Sequence, residues 1–522
     1  MHVALTILAL TGCERALIAF GANPTQDDSG AAPDADGDGV TVVADCDDAN
    51  AAVGARTVEA WNGRDDDCDG LVDNLAVGTV AIGTVGGPAA DTHLGDEGTL
   101  ALGGDLTGDA IPDLVLGSWA TGTGSIWVRD GASVVGSSDS LAVLYTFRAY
   151  GYSSSEPLGY VDGPLRDVTG DGIDDLLAVA VNLANDRSPG FAFLLPGGDL
   201  DGTESVGEAA TSLFSGSEGD RLRHAQEDDI DGDGLADVIV SAPFDGYYPS
   251  ADHFDSGEAE TGNVSVYSGA EIEPFYWYYL EYASDQIHGS ASGDLRGTSL
   301  ATQDLDDDGY VDVVAGAAAA RLTKKDQGGS GVVYVFPGNT NASWGGDRAA
   351  EAARAAIFAD AGLDRLGDSA LARPGDLDGD GHLDLALADP GVSVHVWYGA
   401  GALKGAVAWS VANWILPVQD GCGAAMATDV DLHADGRDEL ILGCPNAAVP
   451  GPEAGALRIF SGELPLADLA GEAAHDHLGA ALSTGADLHR GGGEEFLAGA
   501  PGNDRDGTEA GRVYVIGMPT GE

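Results

Sequence analysis

Five segments of this 522-residue chain place oxygen-bearing side chains at positions 1, 3, 5 and 9 of a nine-residue loop. Hard oxygen ligands at alternate positions suit Ca²⁺ rather than zinc, and the backbone carbonyl at position 7 is expected to add a further ligand. We therefore predict five calcium loops. Their predicted ligands are Asp105, Thr107, Asp109, Ile111 and Asp113 in loop 1; Asp167, Thr169, Asp171, Ile173 and Asp175 in loop 2; Asp229, Asp231, Asp233, Leu235 and Asp237 in loop 3; Asp304, Asp306, Asp308, Tyr310 and Asp312 in loop 4; and Asp376, Asp378, Asp380, His382 and Asp384 in loop 5.

Two further copies of the loop depart from this pattern. Loop 6 begins at Asp431 and carries His433, a poor calcium ligand, at position 3. Loop 7 begins at Asp487 and has Gly491 at position 5. The sequence leaves open whether either loop binds metal.

An acidic module at 34–75 repeats the same chemistry near the N-terminus. Its first segment has the spacing of an EF-hand loop, and the second has donors at positions 1, 3, 5 and 9. The predicted ligands are Asp34, Asp36, Asp38, Val40 and Asp45, followed by Asp65, Asp67, Asp69, Leu71 and Asp73. We expect two more calcium ions here, because a segment this short cannot build a sufficient apolar core.

The charge of the chain limits its partners. Acidic residues number 86 and basic residues 23, which gives a formal net charge of −63. Such a chain repels nucleic-acid backbones and anionic lipid, so we expect neither as a partner. Glycine is abundant, at 79 residues, while the hydrophobic share is 44%. This combination indicates a folded protein with many tight turns.

The N-terminus resembles a bacterial lipoprotein signal, because a short apolar run, Val3 to Leu10, is followed by Thr11-Gly12-Cys13. No Lys or Arg precedes the run, which departs from that pattern. We expect a signal over 1–13 with lipid on Cys13, a tether over 14–33, and export to the outer membrane or surface of a bacterium. The alternative is a frayed apolar N-terminus.

Four cysteines then remain, and an even number in an exported protein implies disulfides. Of the three possible connectivities, Cys46–Cys68 with Cys422–Cys444 keeps each bridge within one local unit. The alternative is two pairs of free thiols in a cytosolic protein.

The loops recur at intervals of 55 to 75 residues, each flanked by short apolar stretches and followed by Gly and an alternating strand such as Gly262-Asn-Val-Ser-Val-Tyr267. Four short strands per copy form one blade, so 76–522 is predicted to be an all-β, seven-bladed β-propeller. The density of Gly and Asp argues against helical repeats. Val77 to Gly83 has the pattern of an outer strand and is expected to close the ring against the seventh blade.

Two short motifs recur in these copies: Ala242-Pro243 and Gly499-Ala-Pro501, and Leu-Gly at 94–95, 158–159, 366–367 and 478–479. With these motifs, the copies resemble the FG-GAP repeats of integrin α-subunit propellers. In copy six the corresponding segments are Cys422-Gly423 and Gly443-Cys444, and the resemblance implies that they lie side by side on adjacent strands, in agreement with a disulfide between the two cysteines. The module at 34–75 resembles an acidic metal-binding motif of bacterial surface proteins and thrombospondin type 3 repeats.

The resemblance also implies that the calcium loops share one face. The opposite face then carries the insertion at 243–261 and a rare basic cluster, Arg321, Lys324 and Lys325. We interpret this variable face as a candidate binding surface. The aromatic run from Phe275 to Tyr282 is expected to pack as an outer strand rather than to bind sugar.

The sequence lacks the motifs of serine hydrolases, zinc proteases and phosphate-binding loops. The close histidine pair, His475 and His477, is interpreted as exposed surface. We therefore expect a monomeric, non-catalytic adhesion propeller at the cell surface that binds a protein or glycan. The alternatives are a hydrolase or lyase that acts on surface polysaccharide from the funnel, and a purely structural envelope protein.

Overall fold

The computed structural model describes residues 73–518 except 121, 144, 155, 162–164, 182–188, 199, 217–219, 245–261, 281–282, 289–295, 319–330, 339–351, 360–365, 367–370, 489 and 491–492. Before residue 73 it describes residues 35, 46, 49, 53, 61, 65, 66 and 68. The predicted signal, Cys13, the tether, the variable insertion from residue 245 onward and the basic cluster therefore lie outside the described residues. Within them, no helix has the length and apolar character needed to cross a membrane.

Seven antiparallel sheets form the seven blades of a β-propeller. From the central channel outward, blade 1 has Leu100–Leu102, Leu114–Ser118, Ser125–Arg129 and Phe147–Tyr150; blade 2 has Leu158–Val161, Leu176–Ala180, Phe191–Leu195 and Ser212–Ser215; blade 3 has His224–Asp228, Asp237–Ala242, Asn263–Tyr267 and Asp285–His288; and blade 4 has Arg296–Gln303, Asp312–Ala317, Val332–Phe336 and Ala355–Phe358.

The remaining blades follow the same order. Blade 5 has Leu385–Asp389, Ser393–Trp397 and Trp414–Pro417, with single bridges from Leu371 and Gly375 on its inner side; blade 6 has Ala425–Ala427, Glu439–Cys444, Ala456–Ser461 and Leu464–Ala470; and blade 7 has Leu482–Ala486, Glu495–Ala500, Arg512–Ile516 and Ala81–Gly86.

The core is divided into seven clusters, each between two consecutive blades. The alternation of side chains along a strand explains the division. In blade 3, Val238 and Val240 pack toward blade 2, whereas Ile239 packs toward blade 4. The second strand of each blade is buried on both faces, which accounts for its continuous apolar sequence.

Residues Ala81–Gly86 close the ring by pairing antiparallel with Arg512–Ile516 in blade 7. A closing N-terminal strand is confirmed, but its predicted extent of Val77 to Gly83 is wrong. Val77–Val80 forms one helical turn, in which the amide of Ala81 donates to the carbonyl of Val77. This turn is needed because Asn74–Ala76 pairs parallel with the outer strand of blade 6 before the chain crosses to blade 7.

The same arrangement adds a fifth, parallel strand to five of the described blades. In each case the segment comes from the connection that precedes the outer strand of the following blade. The fifth strands are Gly202–Ser205 on blade 1, Tyr276–Tyr279 on blade 2, Gly405–Ala408 on blade 4, Asn74–Ala76 on blade 6 and Ser138–Ser140 on blade 7. Among the described residues, the short helices are Val77–Val80, Gly131–Ser133, Val206–Ala209, Gly269–Glu271, Ala400–Ala402 and Trp409–Val411.

Candidate calcium loops

The predicted loops join the first and second strands of their blades. The position 1 carboxylate organises each loop by accepting hydrogen bonds from backbone amides. In loop 3, Asp229 accepts from the amides of Gly232, Asp233 and Gly234 at 2.7 to 3.1 Å. The corresponding residues of the other loops, Asp105, Asp167, Asp304 and Asp376, accept from amides of their own loops in the same way. The chain therefore coils around this carboxylate.

The position 9 carboxylate fastens each loop to the rest of its blade. Asp237 is buried and accepts from the amides of Ile230 in its own loop and Gly269 after the third strand, both at 2.9 Å. Asp113, Asp175, Asp312 and Asp384 make equivalent contacts to Gly131, Gly197, Gly338 and Gly399. A Cβ on Gly269 would lie 2.3 Å from the carbonyl oxygen of Ala236, so this close approach requires glycine.

Three of the five loops gather three carboxylates around one point. One oxygen from each member lies within 4.8 Å of the others. The groups are Asp229, Asp231 and Asp237 in loop 3; Asp304, Asp306 and Asp308 in loop 4; and Asp376, Asp378 and Asp384 in loop 5. In loops 1 and 2, where position 3 is threonine, no group of three carboxylates meets this distance among the described residues.

Two of these loops contain a buried oxygen that accepts no hydrogen bond from the described residues. They are Oδ2 of Asp231 and Oδ1 of Asp306. A buried, unpaired carboxylate oxygen is costly unless it meets a cation. Because these oxygens belong to the carboxylate groups just described, the residues present fit a hard divalent ion.

Family comparison agrees with this repeat architecture. The FG-GAP repeat model matches residues 228–267 and 296–336, which comprise most of blades 3 and 4. The chain is a seven-bladed β-propeller, and the FG-GAP repeat model matches two of its blades. A curated relative, integrin alpha-PS2 of Drosophila melanogaster, is 33% identical over 112 residues, which is 21% of this chain and 7% of that protein. The chain thus matches only a small part of this relative.

Two of the solved structures to which the chain is similar have lower sequence identity than this relative. A crystal structure of BBS1N in complex with ARL6DN, soaked with lead, has 10% identity and a TM-score of 0.45 over 86% of this chain and 99% of that chain. The WD40 domain from Toxoplasma gondii coronin has 9% identity and a TM-score of 0.43 over 84% of this chain and 85% of that chain.

In blade 4, an arginine guanidinium lies beside the carboxylates of loop 4. Arg354, which precedes the outer strand of blade 4, donates to Asp306 and lies 3.1 Å from Asp312. Both carboxylates are predicted calcium ligands. Arg354 therefore supplies positive charge that a cation would otherwise supply, a feature that sequence spacing did not indicate.

We predict that Arg354→Ala strengthens calcium binding at loop 4 by about tenfold, because calcium no longer has to displace a buried guanidinium. A hydrogen bond between charged groups contributes about 1.5 kcal/mol, which corresponds to about a tenfold change in affinity. Calorimetric titration of the metal-free variant and wild type measures the change. Arg458→Ala, which removes a guanidinium from the surface of blade 6, is the control. Equal calcium affinity of the Arg354 variant and wild type would contradict the prediction.

Loop 6 retains the backbone geometry of loops 1 to 5 without their full ligand set. Asp431 accepts from the amides of Asp435 and Gly436. His433, at position 3, pairs with Glu439 at 3.2 Å, and this hydrogen bond raises the pKa of the histidine. In loop 7, His489 and Gly491 lie outside the described residues.

Adjacent loops are joined by carboxylates at position 8, which the sequence analysis missed. Asp174 of loop 2 accepts from the amide of Asp105 in loop 1 at 2.9 Å. Asp438 and Glu494 make the same contact to Asp376 and Asp431 at 2.7 and 3.2 Å. The available signal was a second acidic residue immediately before position 9, as in Asp174-Asp175.

Burial changes the proton affinity of the loop carboxylates. It raises the pKa of Asp237 and of Asp384 to about 7, and that of Asp113 and of Asp312 to about 6, in each case with loss of solvation as the largest cause. In the metal-free protein these groups bind protons more tightly when folded than when unfolded.

We therefore predict that the metal-free propeller loses stability as pH rises from about 4 to about 7. The native state binds more protons than the unfolded state in this range. Protonation therefore stabilises the native state at low pH, and this stabilisation is lost as the pH rises through the raised pKa values. Calcium affinity should rise over the same range, because protons compete for the ligands. Urea unfolding in EDTA at several pH values measures the effect. Asp237→Asn should reduce the slope, and a slope of opposite sign would contradict the prediction.

The N-terminal module is described only in part. Cys46 and Cys68 form a disulfide, as predicted. Asp65 and the buried Asp73 are described, and Trp61 packs against the core between blades 6 and 7. The remaining predicted ligands of the module, Asp34, Asp36, Asp38, Val40, Asp45, Asp67, Asp69 and Leu71, lie outside the described residues.

The second predicted disulfide is also confirmed. Cys422 and Cys444 are bonded and fully buried in the core between blades 5 and 6. The amide of Gly423 donates to the carbonyl of Gly443 at 2.9 Å. The two segments therefore lie side by side, as the FG-GAP resemblance implied.

The aromatic run differs from its expected packing. Tyr276–Tyr279 is a strand, but it is the outermost strand of blade 2, while Asp285–His288 provides the outer strand of blade 3. Phe275 and Trp277 are 83% and 62% exposed. Together with Tyr152 and Phe191 they line a cavity of about 350 Å³. The parallel pairing explains the exposure, because no further strand covers this edge in the described structure.

The central channel has a volume of about 840 Å³. Six charged residues of the described structure line it, four of them arginines: Arg166, Arg221, Arg223, Arg373, Glu97 and Asp429. Arg373 lies 3.5 Å from both Asp228 in blade 3 and Asp429 in blade 6. Asp429 also accepts from the hydroxyl of Thr484. One of the two lining carboxylates is therefore already engaged in an ion pair.

Proposed function

We propose that this protein is a calcium-stabilised, non-catalytic propeller that binds a protein or glycan at the cell surface. The observation that carries the calcium assignment is the convergence of three carboxylates in each of loops 3, 4 and 5. Like charges at this distance repel, and a divalent cation turns that repulsion into attraction. Calcium in loops 1 and 2 and in the N-terminal module is part of the same proposal, as predicted from their spacing.

Two observations support a ligand-binding role. The first is the presence of FG-GAP repeats, with partial similarity to an integrin α subunit. The second is the exposed aromatic strand on blade 2. Large exposed apolar patches are rare on monomeric proteins, and where they occur they mark interaction sites. In the channel, Asp429 forms an ion pair with Arg373 and accepts a hydrogen bond from Thr484. Because its carboxylate is held by these contacts, the channel favours ligand binding over acid–base catalysis.

The proposal includes export and attachment through lipid on Cys13, with the propeller as a monomer. The net charge of −63 disfavours direct docking on anionic lipid, so a covalent lipid is the expected means of membrane attachment. Metabolic labelling with a fatty-acid analogue tests this part, and Cys13→Ser should abolish the label.

A binding screen tests the central claim. Purified protein in calcium is applied to arrays of glycans and of surface proteins, and hits are repeated with Trp277→Ala and with residues 243–261 deleted. We expect at least one variant to weaken capture tenfold or more, because a buried aromatic contact contributes about 1.4 kcal/mol or more to binding. Leu464→Ala, which removes an exposed side chain on blade 6, is the matched control.

Two results would contradict the proposal. Capture that is undiminished in both variants would exclude the aromatic strand and the insertion as binding surfaces. Cleavage of a captured polysaccharide by wild-type protein would replace the non-catalytic assignment with that of a hydrolase or lyase.

A further inference from the structure

A cluster of nitrogen and oxygen donors lies between blades 6 and 7, away from the calcium loops. Glu453, His475 and His477 each place one ligand atom within 4.8 Å of the others. Glu453 belongs to the connection between the second and third strands of blade 6, and the histidines precede the inner strand of blade 7. Both connections open on the face opposite the calcium loops, because those loops join first to second strands.

The backbone holds these three residues in place. The amide of His475 donates to the carbonyl of Pro452 at 2.9 Å, and the amide of His477 donates to the carbonyl of Glu453 at 3.1 Å. All three donors have positive φ, at 53° for Glu453, 67° for His475 and 57° for His477. This conformation is uncommon for residues other than glycine. The two connections are therefore fixed to one another with the donor side chains projecting from a defined surface.

The side chains are close enough to share an ion and open enough to receive one. Nδ1 of His475 lies 2.9 Å from Oε2 of Glu453, and these side chains are 63% and 53% exposed. An exposed pair of this kind contributes little to stability. A contribution to stability therefore does not explain why the Glu453–His475 pair lies within a group of three donors, whereas binding of a ligand does.

We propose that Glu453, His475 and His477 bind a divalent transition-metal ion of the zinc, nickel or copper class, with solvent completing the coordination. Two imidazoles and one carboxylate suit these ions, whereas calcium prefers oxygen ligands alone. The chain therefore separates two metal chemistries, with all-oxygen loops on one face and a nitrogen-containing site on the other. This site is distinct from the proposed calcium function and does not depend on it.

The neighbouring interface supplies an internal comparison. Between blades 7 and 1, Asp91, His93 and Glu509 occupy equivalent positions with φ of 58°, 54° and 49°. Nε2 of His93 lies 3.1 Å from Oε2 of Glu509. The sequence His475-Asp-His477-Leu-Gly corresponds to Asp91-Thr-His93-Leu-Gly. His475, which corresponds to Asp91, is thus the histidine specific to the site between blades 6 and 7. Asp91, His93 and Glu509 do not form a group that meets the same distance criterion.

Titration with zinc or nickel in saturating calcium tests the proposal. Wild type should bind one ion that calcium does not displace, and His475→Asn and His477→Asn should each weaken its binding at least tenfold. Asparagine tolerates positive φ, so the backbone is preserved, and an unchanged melting temperature without zinc or nickel confirms the fold. His93→Asn is the matched control and should leave the affinity unchanged.

Copper provides a spectroscopic readout. The electron paramagnetic resonance spectrum of one bound Cu²⁺ should show two imidazole nitrogen ligands in wild type. It should show one such ligand in His477→Asn. The proposal is overturned if wild type binds no transition metal, if both histidine variants bind as tightly as wild type, or if His93→Asn weakens binding to the same extent.

Discussion

Removal of calcium should lower the free energy of unfolding of the propeller by about 8 kcal/mol. A site filled at one hundred times its dissociation constant adds about 2.7 kcal/mol, and loops 3, 4 and 5 each gather three carboxylates. Relief of the repulsion between the carboxylates of each empty loop is part of this binding free energy and is already counted in it. Urea unfolding or thermal melting, in calcium and then in EGTA with magnesium, measures the effect.

Substitutions separate the loops from general charge effects. Asp231→Asn and Asp378→Asn remove one ligand each and should reduce the calcium-dependent part of the stability. Asp201→Asn removes an exposed carboxylate outside the loops and should leave that part unchanged. A melting transition that is insensitive to EGTA would show that the loops are acidic turns without bound metal.

Loss of the Cys422–Cys444 disulfide should destabilise the propeller by about 3 kcal/mol. The bridge closes a loop with a sequence separation of 22 residues, and the chain-entropy model gives this magnitude for such a loop. Both sulfurs are fully buried between blades 5 and 6. Cys422→Ala with Cys444→Ala removes the bridge without leaving a free thiol, and urea unfolding measures the change.

The N-terminal bridge is a matched control for this experiment. Cys46–Cys68 has the same sequence separation of 22 residues, so the entropy of its loop is the same. It lies before residue 73, outside the seven blades, and its loop contacts the core between blades 6 and 7 through Trp61. Cys46→Ala with Cys68→Ala should therefore destabilise the main unfolding transition of the propeller less than loss of Cys422–Cys444 does. Equal losses for the two double variants would contradict the assignment of Cys422–Cys444 as a specific element of the propeller core.

The number and order of the blades could be predicted from the sequence because each loop recurs beside apolar strands. The second strands, such as Asp237–Ala242, are buried on both faces and therefore carry a continuous apolar signal. The fifth strands could not be predicted in this way. Gly202–Ser205 and Ser138–Ser140 are polar and lie at exposed edges, so burial leaves no pattern in their sequences.

The same contrast applies to the calcium loops. The position 1 and position 9 residues were predictable, because alternating carboxylates around glycine have a known chemistry. Arg354 and Asp438 could not be predicted, since the first reaches loop 4 from 42 residues beyond Asp312 and the second acts on a neighbouring blade. Contacts between blades depend on how the blades are arranged around the ring. The sequence of a single repeat does not show which residues of the next blade lie beside it.

The way the chain closes its ring determines how the molecule would bear tension. A pull on the segment ahead of residue 74 reaches the hydrogen bonds of Asn74–Ala76 with blade 6 first, and those of Ala81–Gly86 with blade 7 next. The helical turn at Val77–Val80 is anchored by the buried Val77 between these two attachments. Two neighbouring blades therefore share the strain before the ring can open.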